Sequence, residues 1–462
     1  STLVIMSALD QIDNVLKTVS KDDTNESKAQ DTGDGTMTPE RVAKYLMSKS
    51  KSAIELTKVL GSPEKQEWIA KECGDGNINY IFLVQGCDGS AVIKQAPPFV
   101  RLVGPSWQLQ QQRLNYEIAY TEKVLQHSKE NAPQLYLIDH DAYLFAMEDL
   151  NVPKMVVFRG QIAKGIGIKE FPNMGKHVGV MVANMLFKTS DLYIKTADKW
   201  NELKSFCDNN EMVMLTEQVI FEEPYYAAAN NRYKENDEYK QLCPQMIETV
   251  SKLRNDAKVL ANVWNLRRKF RNLHQALAHG DLHTGSIMCN QERTVAIDAE
   301  FAYYGPYFVD VGLFIGNMLL ACFSQELYDK GGDRQAYVEY LCAQTVAFYN
   351  TFYENFLNLW NTEKTNGNLI PSTMGNAEMH KQYKLQFMRE IWDDSILFAA
   401  IVMVRRCVGI ADGPEFRIEK ARNKDRWTAE EKACRFGRDI LNGTVATDSI
   451  ETVIEALKKY LK

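Results

Sequence analysis

A chain of 462 residues that is 45% hydrophobic and 25% charged has the composition of an ordinary globular protein with a large core, which excludes wholesale disorder. Its formal net charge of −6 leaves no basic excess to neutralise a phosphate backbone, so nucleic-acid binding is not its task. Nine cysteines, odd in number and without a C-x-x-C, read as reduced thiols and point to a cytoplasmic protein.

No membrane is expected, because no run reaches the roughly 18–20 apolar residues of a span. The best candidate, ILFAAIVMV at 396–404, stops at Arg405-Arg406. The N-terminus lacks the basic-then-apolar layout of a signal peptide, and the sequons at Asn25 and Asn442 read as chance matches.

In chain order, Ile5, Leu9, Ile12, Leu16 and Val19 recur at helical spacing, and a polar linker follows to residue 36. Thr38-Pro39 opens a second helix, the hydroxyl as N-cap and the proline at the first helical position. From about 77 to 150 the apolar pattern has period two. Residues 79–86, 90–96 and 134–150 read as strands, the last a hairpin around Asp139-His140-Asp141, with a helix over 108–128. Helical patterns then run to the C-terminus, interrupted by a short strand at TVAIDAEFA, 294–302. The expected fold is α+β: an N-terminal helix and linker (1–36), a small β-rich lobe (37–150) and a larger, mostly helical lobe (151–462).

The stretch LAHGDLHTGSIMCNQERTVAIDAEFAYYGP, 277–306, concentrates chemistry. Asp298 and Glu300, two apart in an extended chain, project to one side and suit a hard cation such as Mg²⁺; a solvated strand end is the alternative. Asp281, in an HGD turn, can orient a substrate hydroxyl and accept its proton. Lys94 ends the strand AVIK and Glu117 lies on the next helix, the kinase order in which the lysine holds phosphates and the glutamate fixes the lysine. Alone, Lys94 would read as a snorkelling surface lysine; the ordered series 74–80, 94, 117, 147–150, 281 and 298/300 reverses that. GDGNINY at 74–80 is a fair turn over a nucleotide, and no Walker A sequence competes.

Rival readings remain open at this point. His279, Asp281 and His283 could be ligands of a metal-dependent hydrolase, although the seven histidines form no second cluster. His283 reads as a turn-stabilising group and Asp310, in VDVG, as a structural partner of the HGD turn. Arg405 and Arg406 end a helix, where neighbours point about 100° apart, so at most one aims straight into a site. Trp107 in isolation reads as a packing anchor.

With GDGNINY, IKQAPPFVRLVGPSW, MEDL, HGDLHTGSI, IDAEFAYYGP with DVG, and VRRCVG in hand, the chain resembles the aminoglycoside-phosphotransferase-like kinases, and within them the methylthioribose kinase family. The likeness runs from about 74 to 410 and implies a bilobal protein-kinase-like fold. It implies transfer of phosphate from ATP to the anomeric O1 of 5-methylthio-D-ribose, giving 5-methylthioribose 1-phosphate in methionine salvage. By motif position Asn79, Lys94 and the hinge Glu148-Asp149-Leu150 would hold ATP, with Glu117 fixing the lysine. Asp298 and Glu300 would carry Mg²⁺, Asp281 would face O1, Arg405 and Arg406 would lie near the substrate and the transferring phosphate, and Trp107 would lie close to the sugar. A homodimer is implied as well.

Two departures from protein kinases matter. Ser286 stands five residues after Asp281, where those enzymes place an asparagine metal ligand, and Glu300 can take over that duty. No D-F-G, A-P-E or activation segment follows, which argues for a small acceptor. A kinase of the same fold acting on choline, an aminoglycoside or homoserine is the alternative, although the twin-arginine and tryptophan pattern suits a cationic acceptor poorly.

Overall fold

The computed structural model describes residues 36–74, 78–152, 154–226, 237–328, 333–363, 367, 369–370, 375–409, 413–416 and 422–462. The expected helix at 1–20, its linker to 35 and the centre of GDGNINY (75–77) lie outside the described residues. The chain forms two compact units, one running to Lys154 without 126–131, the other comprising 126–131 and 155–462. The stretch 126–131 joins the second unit because Asn131 donates to the Thr294 carbonyl at 2.8 Å and Asn184 donates to Ser128 at 3.3 Å.

The first unit is built on a five-stranded sheet in the order β1-β2-β3-β7-β6, antiparallel throughout. Its strands are β1 (Ile69–Cys73), β2 (Tyr80–Gln85), β3 (Ser90–Gln95), β6 (Leu135–Asp139) and β7 (Leu144–Glu148); a separate pair, β4 (Phe99–Val100) and β5 (Gly104–Gln108), lies between β3 and the long helix. Strand alternation sorts the side chains onto two faces. Phe82, Val84, Ala91, Ile93, Leu144 and Ala146 pack with Val42 and Leu46 of α1 (Pro39–Lys49) and with Leu56 and Leu60 of α2 (Ile54–Leu60). Phe145, on the opposite face, packs with Leu114 and Ile118 of α3 (Arg113–His127). Thr38 caps α1 as expected, its side chain accepting from the Arg41 amide.

The second unit is helical except for short β pairings that frame two loops. Strand β9 (Ala276–Ala278) pairs with β12 (Tyr303–Gly305), and β10 (Ile287–Cys289) pairs with β11 (Thr294–Ala296) and with β8 (Val156–Val157). The helices that matter below are α4 (Phe158–Lys164), α5 (Met174–Lys188), α6 (Phe308–Ser324), α7 (Arg334–Thr362), α8 (Ala377–Val408) and α9 (Asn423–Leu441). Every residue of α6 is buried, among α7, α8 and α9. Glycines let it approach α8: a Cβ on Gly312 would sit 2.7 Å from the Ser395 carbonyl, and one on Gly316 2.7 Å from that of Ala399.

This helix corrects one expectation. Among the described residues Phe308–Leu327 is long and apolar enough to cross a membrane, and its apolar window lies wholly inside the unit. Asp310, Gly312, Gly316 and Asn317 interrupt the run, so it does not read as a continuous apolar segment.

Candidate active site

In the first unit, alternation decides where Lys94 points. Ile93 faces α1 and α2, so Lys94, directly opposite Phe145 on β7, faces α3. Glu117 shares a turn of α3 with Leu114 and Ile118, the residues that pack on this face. Its carboxylate lies 2.8 Å from the Lys94 ammonium, with the two residues only 3% and 1% exposed. The expected lysine–glutamate pair is therefore formed and buried, which fixes the direction of a side chain that would otherwise sample many rotamers.

Asn79 is also buried, but its carbonyl oxygen is taken by Arg113, whose Nε and Nη2 donate at 3.1 and 2.9 Å. The same guanidinium donates to the carbonyls of Leu109, Gln110 and Pro97. Arg113 thus pins the start of β2 to α3, a role no motif announces. At the end of β7, Glu148 accepts from the Gln134 amide at 3.2 Å. Asp149 accepts from the Ser90 hydroxyl at 2.6 Å and from the amide and side chain of Asn151 at 3.0 Å, tying the end of β7 to the start of β3. Leu150 is buried. Trp107 is half-buried on β5.

In the second unit the loop 279–286 follows β9 and the loop 297–302 follows β11. Asp310, on the first turn of α6, accepts from the amides of His279 (2.7 Å) and Gly280 (3.0 Å), the structural role expected of it. Gly280 has φ +83°, and a Cβ there would lie 2.2 Å from the Phe301 carbonyl, so the HGD turn admits only glycine. His279 donates from Nε2 to the Ile297 carbonyl at 3.0 Å and accepts at Nδ1 from the Asp281 amide at 3.3 Å. His283 accepts at Nδ1 from the amides of Gly285 (3.1 Å) and Ser286 (2.9 Å). Ser286 donates its hydroxyl to the Asp281 carbonyl at 2.8 Å. The residue standing in the asparagine's place therefore braces the loop backbone.

These bonds weigh against the hydrolase reading. Both nitrogens of His279 are occupied, and His283 uses one of its own to hold a turn. Among the described residues no three His, Cys, Asp or Glu gather as a metal-ligand set. Magnesium needs fewer: one or two carboxylates, with substrate phosphates and water completing its shell. Asp298 and Glu300 fit that donor set, though not by the expected geometry. The strand ends at Ala296, and Asp298 takes φ +65°, so the two do not alternate along one extended strand. Aspartate tolerates this left-handed region better than most residues. The loop is held by Asn209, which donates to the carbonyls of Glu300 (3.0 Å) and Ala302 (2.8 Å).

The electrostatics centre on Asp281. Burial pushes its carboxyl up, but His283, Arg406 and Arg405 outweigh that and hold it below the usual aspartate value, so it is ionised at neutral pH. Burial drives His283 down to about 3 against the pull of Asp281; its ring is neutral, with Nε2 3.5 Å from the Asp281 carboxylate. Arg405, half-buried, and Arg406, buried, occupy the last turn of α8. Both arginines bear on the charge of Asp281. A guanidinium on a long stem can reach back across the 100° between helical neighbours.

Two partners were missed in the sequence. Arg159, on α4, donates from Nε to Glu415 at 3.0 Å and to the Thr284 hydroxyl at 3.2 Å. Glu415 is buried, which alone would raise its carboxyl, yet Arg159 and Arg406 bring it down to about 2. Its other partner is the Thr284 hydroxyl at 2.9 Å. Both residues stand alone in the sequence, 256 positions apart, with no spacing to flag them.

Phosphoryl transfer asks a protein for positioning and charge placement more than covalent chemistry, and each unit supplies parts of that kind. Residues 193–340 match the model of the phosphotransferase enzyme family. The chain is 35% identical over 393 residues to methylthioribose kinase 2 of Oryza sativa subsp. japonica, covering 84% of this chain and 89% of that one. It is 33% identical over 405 residues to methylthioribose kinase of Escherichia coli O45:K1, covering 86% and 92%. With the Bacillus anthracis enzyme of the same name the figures are 30% over 392 residues, covering 84% and 91%. The chain belongs to the methylthioribose kinase family.

Proposed function

We propose that this chain transfers the γ-phosphoryl group of ATP to the anomeric hydroxyl of 5-methylthioribose, giving ADP and 5-methylthioribose 1-phosphate, a step of methionine salvage. The observation that carries this reading is the likeness to methylthioribose kinases over 84% of the chain. The surroundings of Asp281 support it: an ionised carboxylate beside two guanidiniums suits a neutral sugar and disfavours a cationic acceptor such as choline or an aminoglycoside.

In this reading O1 attacks the γ-phosphorus, the bond to the β-phosphate oxygen breaks, and the O1 proton passes to Asp281. An anomeric hydroxyl is more acidic than an ordinary alcohol, so a carboxylate of low basicity suffices. Arg405 and Arg406 offer donors to the phosphoryl oxygens as charge spreads over them. Lys94, aimed by Glu117, answers the phosphates of the nucleotide. Asn79, Glu148, Asp149 and Leu150 hold ATP, and Trp107 lies close to the sugar. Asp298 and Glu300 would hold Mg²⁺, which supplies positive charge along the phosphates when bound. A homodimer and a cytoplasmic location complete the reading, the latter supported by nine cysteines that all stand as free thiols.

The test is a panel of acceptors with Mg-ATP, comprising 5-methylthioribose, choline, homoserine and an aminoglycoside. It is scored by ADP release and by phosphorus NMR of the product. ADP release with the sugar and an anomeric phosphate signal are expected; turnover of choline with none on the sugar would overturn the reading.

A further inference from the structure

A third guanidinium stands with the twin arginines. Arg159 is held at Nε by Glu415 and Thr284, and its Nη1 lies against the catalytic loop, where a Cβ on Gly285 would fall 2.5 Å from it. Its Nη2 is buried and has no hydrogen-bond acceptor among the described residues, and the same is true of the Nε atoms of Arg405 and Arg406. Buried donors are nearly always satisfied, so three of them on guanidiniums that influence one another mark a place built to receive an acceptor.

The charges around these donors change during the proposed reaction. Three cations, Arg159, Arg405 and Arg406, face three carboxylates, those of Asp281, Glu415 and Glu223. When Asp281 takes the O1 proton, one negative charge is lost next to the arginines, and the phosphoryl group arriving on O1 replaces it. Planar guanidiniums match phosphate oxygens in geometry as well as in charge.

We propose that Arg159 is a phosphate-binding residue of this enzyme, completing with Arg405 and Arg406 a three-arginine cradle for the phosphoryl group carried on the sugar O1. This rests on the sugar-kinase reading above. It separates Arg159 from the nucleotide side: its loss weakens the hold on the transferred phosphate and on the product, and leaves ATP capture intact.

The experiment compares wild type with Arg159→Gln and Gly285→Ala in the full chain. The second variant keeps every charge, but its methyl group displaces the Arg159 head. Steady-state kcat, KM for ATP and inhibition by 5-methylthioribose 1-phosphate and by inorganic phosphate are measured. Arg159→Gln is expected to lower kcat about a hundredfold, to raise both inhibition constants about tenfold and to leave KM for ATP within about twofold. Gly285→Ala should shift the same quantities in the same direction by less. Normal kcat and unchanged inhibition in Arg159→Gln, with wild type active on the sugar, overturn the inference while sparing the sugar-kinase reading. Should Arg159→Gln not fold, unaltered inhibition in Gly285→Ala overturns it instead. A wild type inactive on 5-methylthioribose sinks the reading itself, and inorganic phosphate then decides the cradle: thermal protection lost in Arg159→Gln upholds it, and equal protection overturns it.

Discussion

The ring of His279 donates to the Ile297 carbonyl at 3.0 Å, so one buried imidazole ties the loop carrying Asp281 to the loop carrying Asp298 and Glu300. A carbonyl only accepts, and the Asp281 amide only donates to the other ring nitrogen, so these two partners fix the orientation of the ring. His279→Ala leaves a buried carbonyl and an amide without their partner, at a cost of about 1–3 kcal/mol for each group. The variant should unfold at lower denaturant and turn over more slowly while retaining its nucleotide affinity. Unchanged stability in a urea titration would contradict this role.

Asp281→Asn keeps the shape of the loop and removes the proposed base. Turnover should fall by about 10²–10⁴, the usual weight of a positioned general base. ATP affinity, followed by isothermal titration, should change by less than about twofold, because the lost interaction is with the acceptor. Near-normal turnover would count decisively against the mechanism.

The pH profile follows from the same group. With its carboxyl held below the usual aspartate value, Asp281 is ionised and competent at any higher pH, and competence is lost only as pH falls through that lowered value. His283 stays neutral down to about 3 and contributes no ionisation near neutrality. A plot of kcat/KM should therefore be flat from pH 6 to 8. A step near the ordinary histidine pKa of about 6.5 would reassign the base.

Removing one member of the buried pair in the first unit should have two effects. Lys94→Met removes the ammonium and leaves the Glu117 carboxylate buried without its partner, so it should raise KM for ATP by about tenfold or more and also cost about 3–5 kcal/mol of stability. Glu117→Ala strands a buried ammonium and should cost about 3–5 kcal/mol. Thermal melts and ATP titrations of both variants check this. An unchanged ATP dependence in Lys94→Met would reject the phosphate role.

What could be read in the sequence was whatever has a short period or a fixed offset. Strand alternation and helix spacing locate Lys94 and Glu117, and their meeting follows from β3 and α3 sharing a face. Asp310 was legible because an acidic residue soon after the HGD loop can accept from that turn's amides. Arg159 and Glu415 were not, because only the packing of α4 against the segment after α8 brings them together. Arg113 was missed for a related reason: its acceptors are mostly backbone carbonyls, which carry no residue signature. The left-handed turn at Asp298 ends a strand that composition alone would have continued to 302.

The burial of α6 also has a consequence for synthesis. Most of its cover comes from α7 and α8, both later in the chain, and the end of α8 at Val408 lies 84 residues beyond the end of α6 at Ser324. At about 5–20 residues per second, a ribosome needs roughly 4–17 s to deliver that cover. For that interval a greasy rod of 17 residues stands bare on the nascent chain. Expression yield should therefore respond to chaperone supply and growth temperature, even where the finished enzyme is stable.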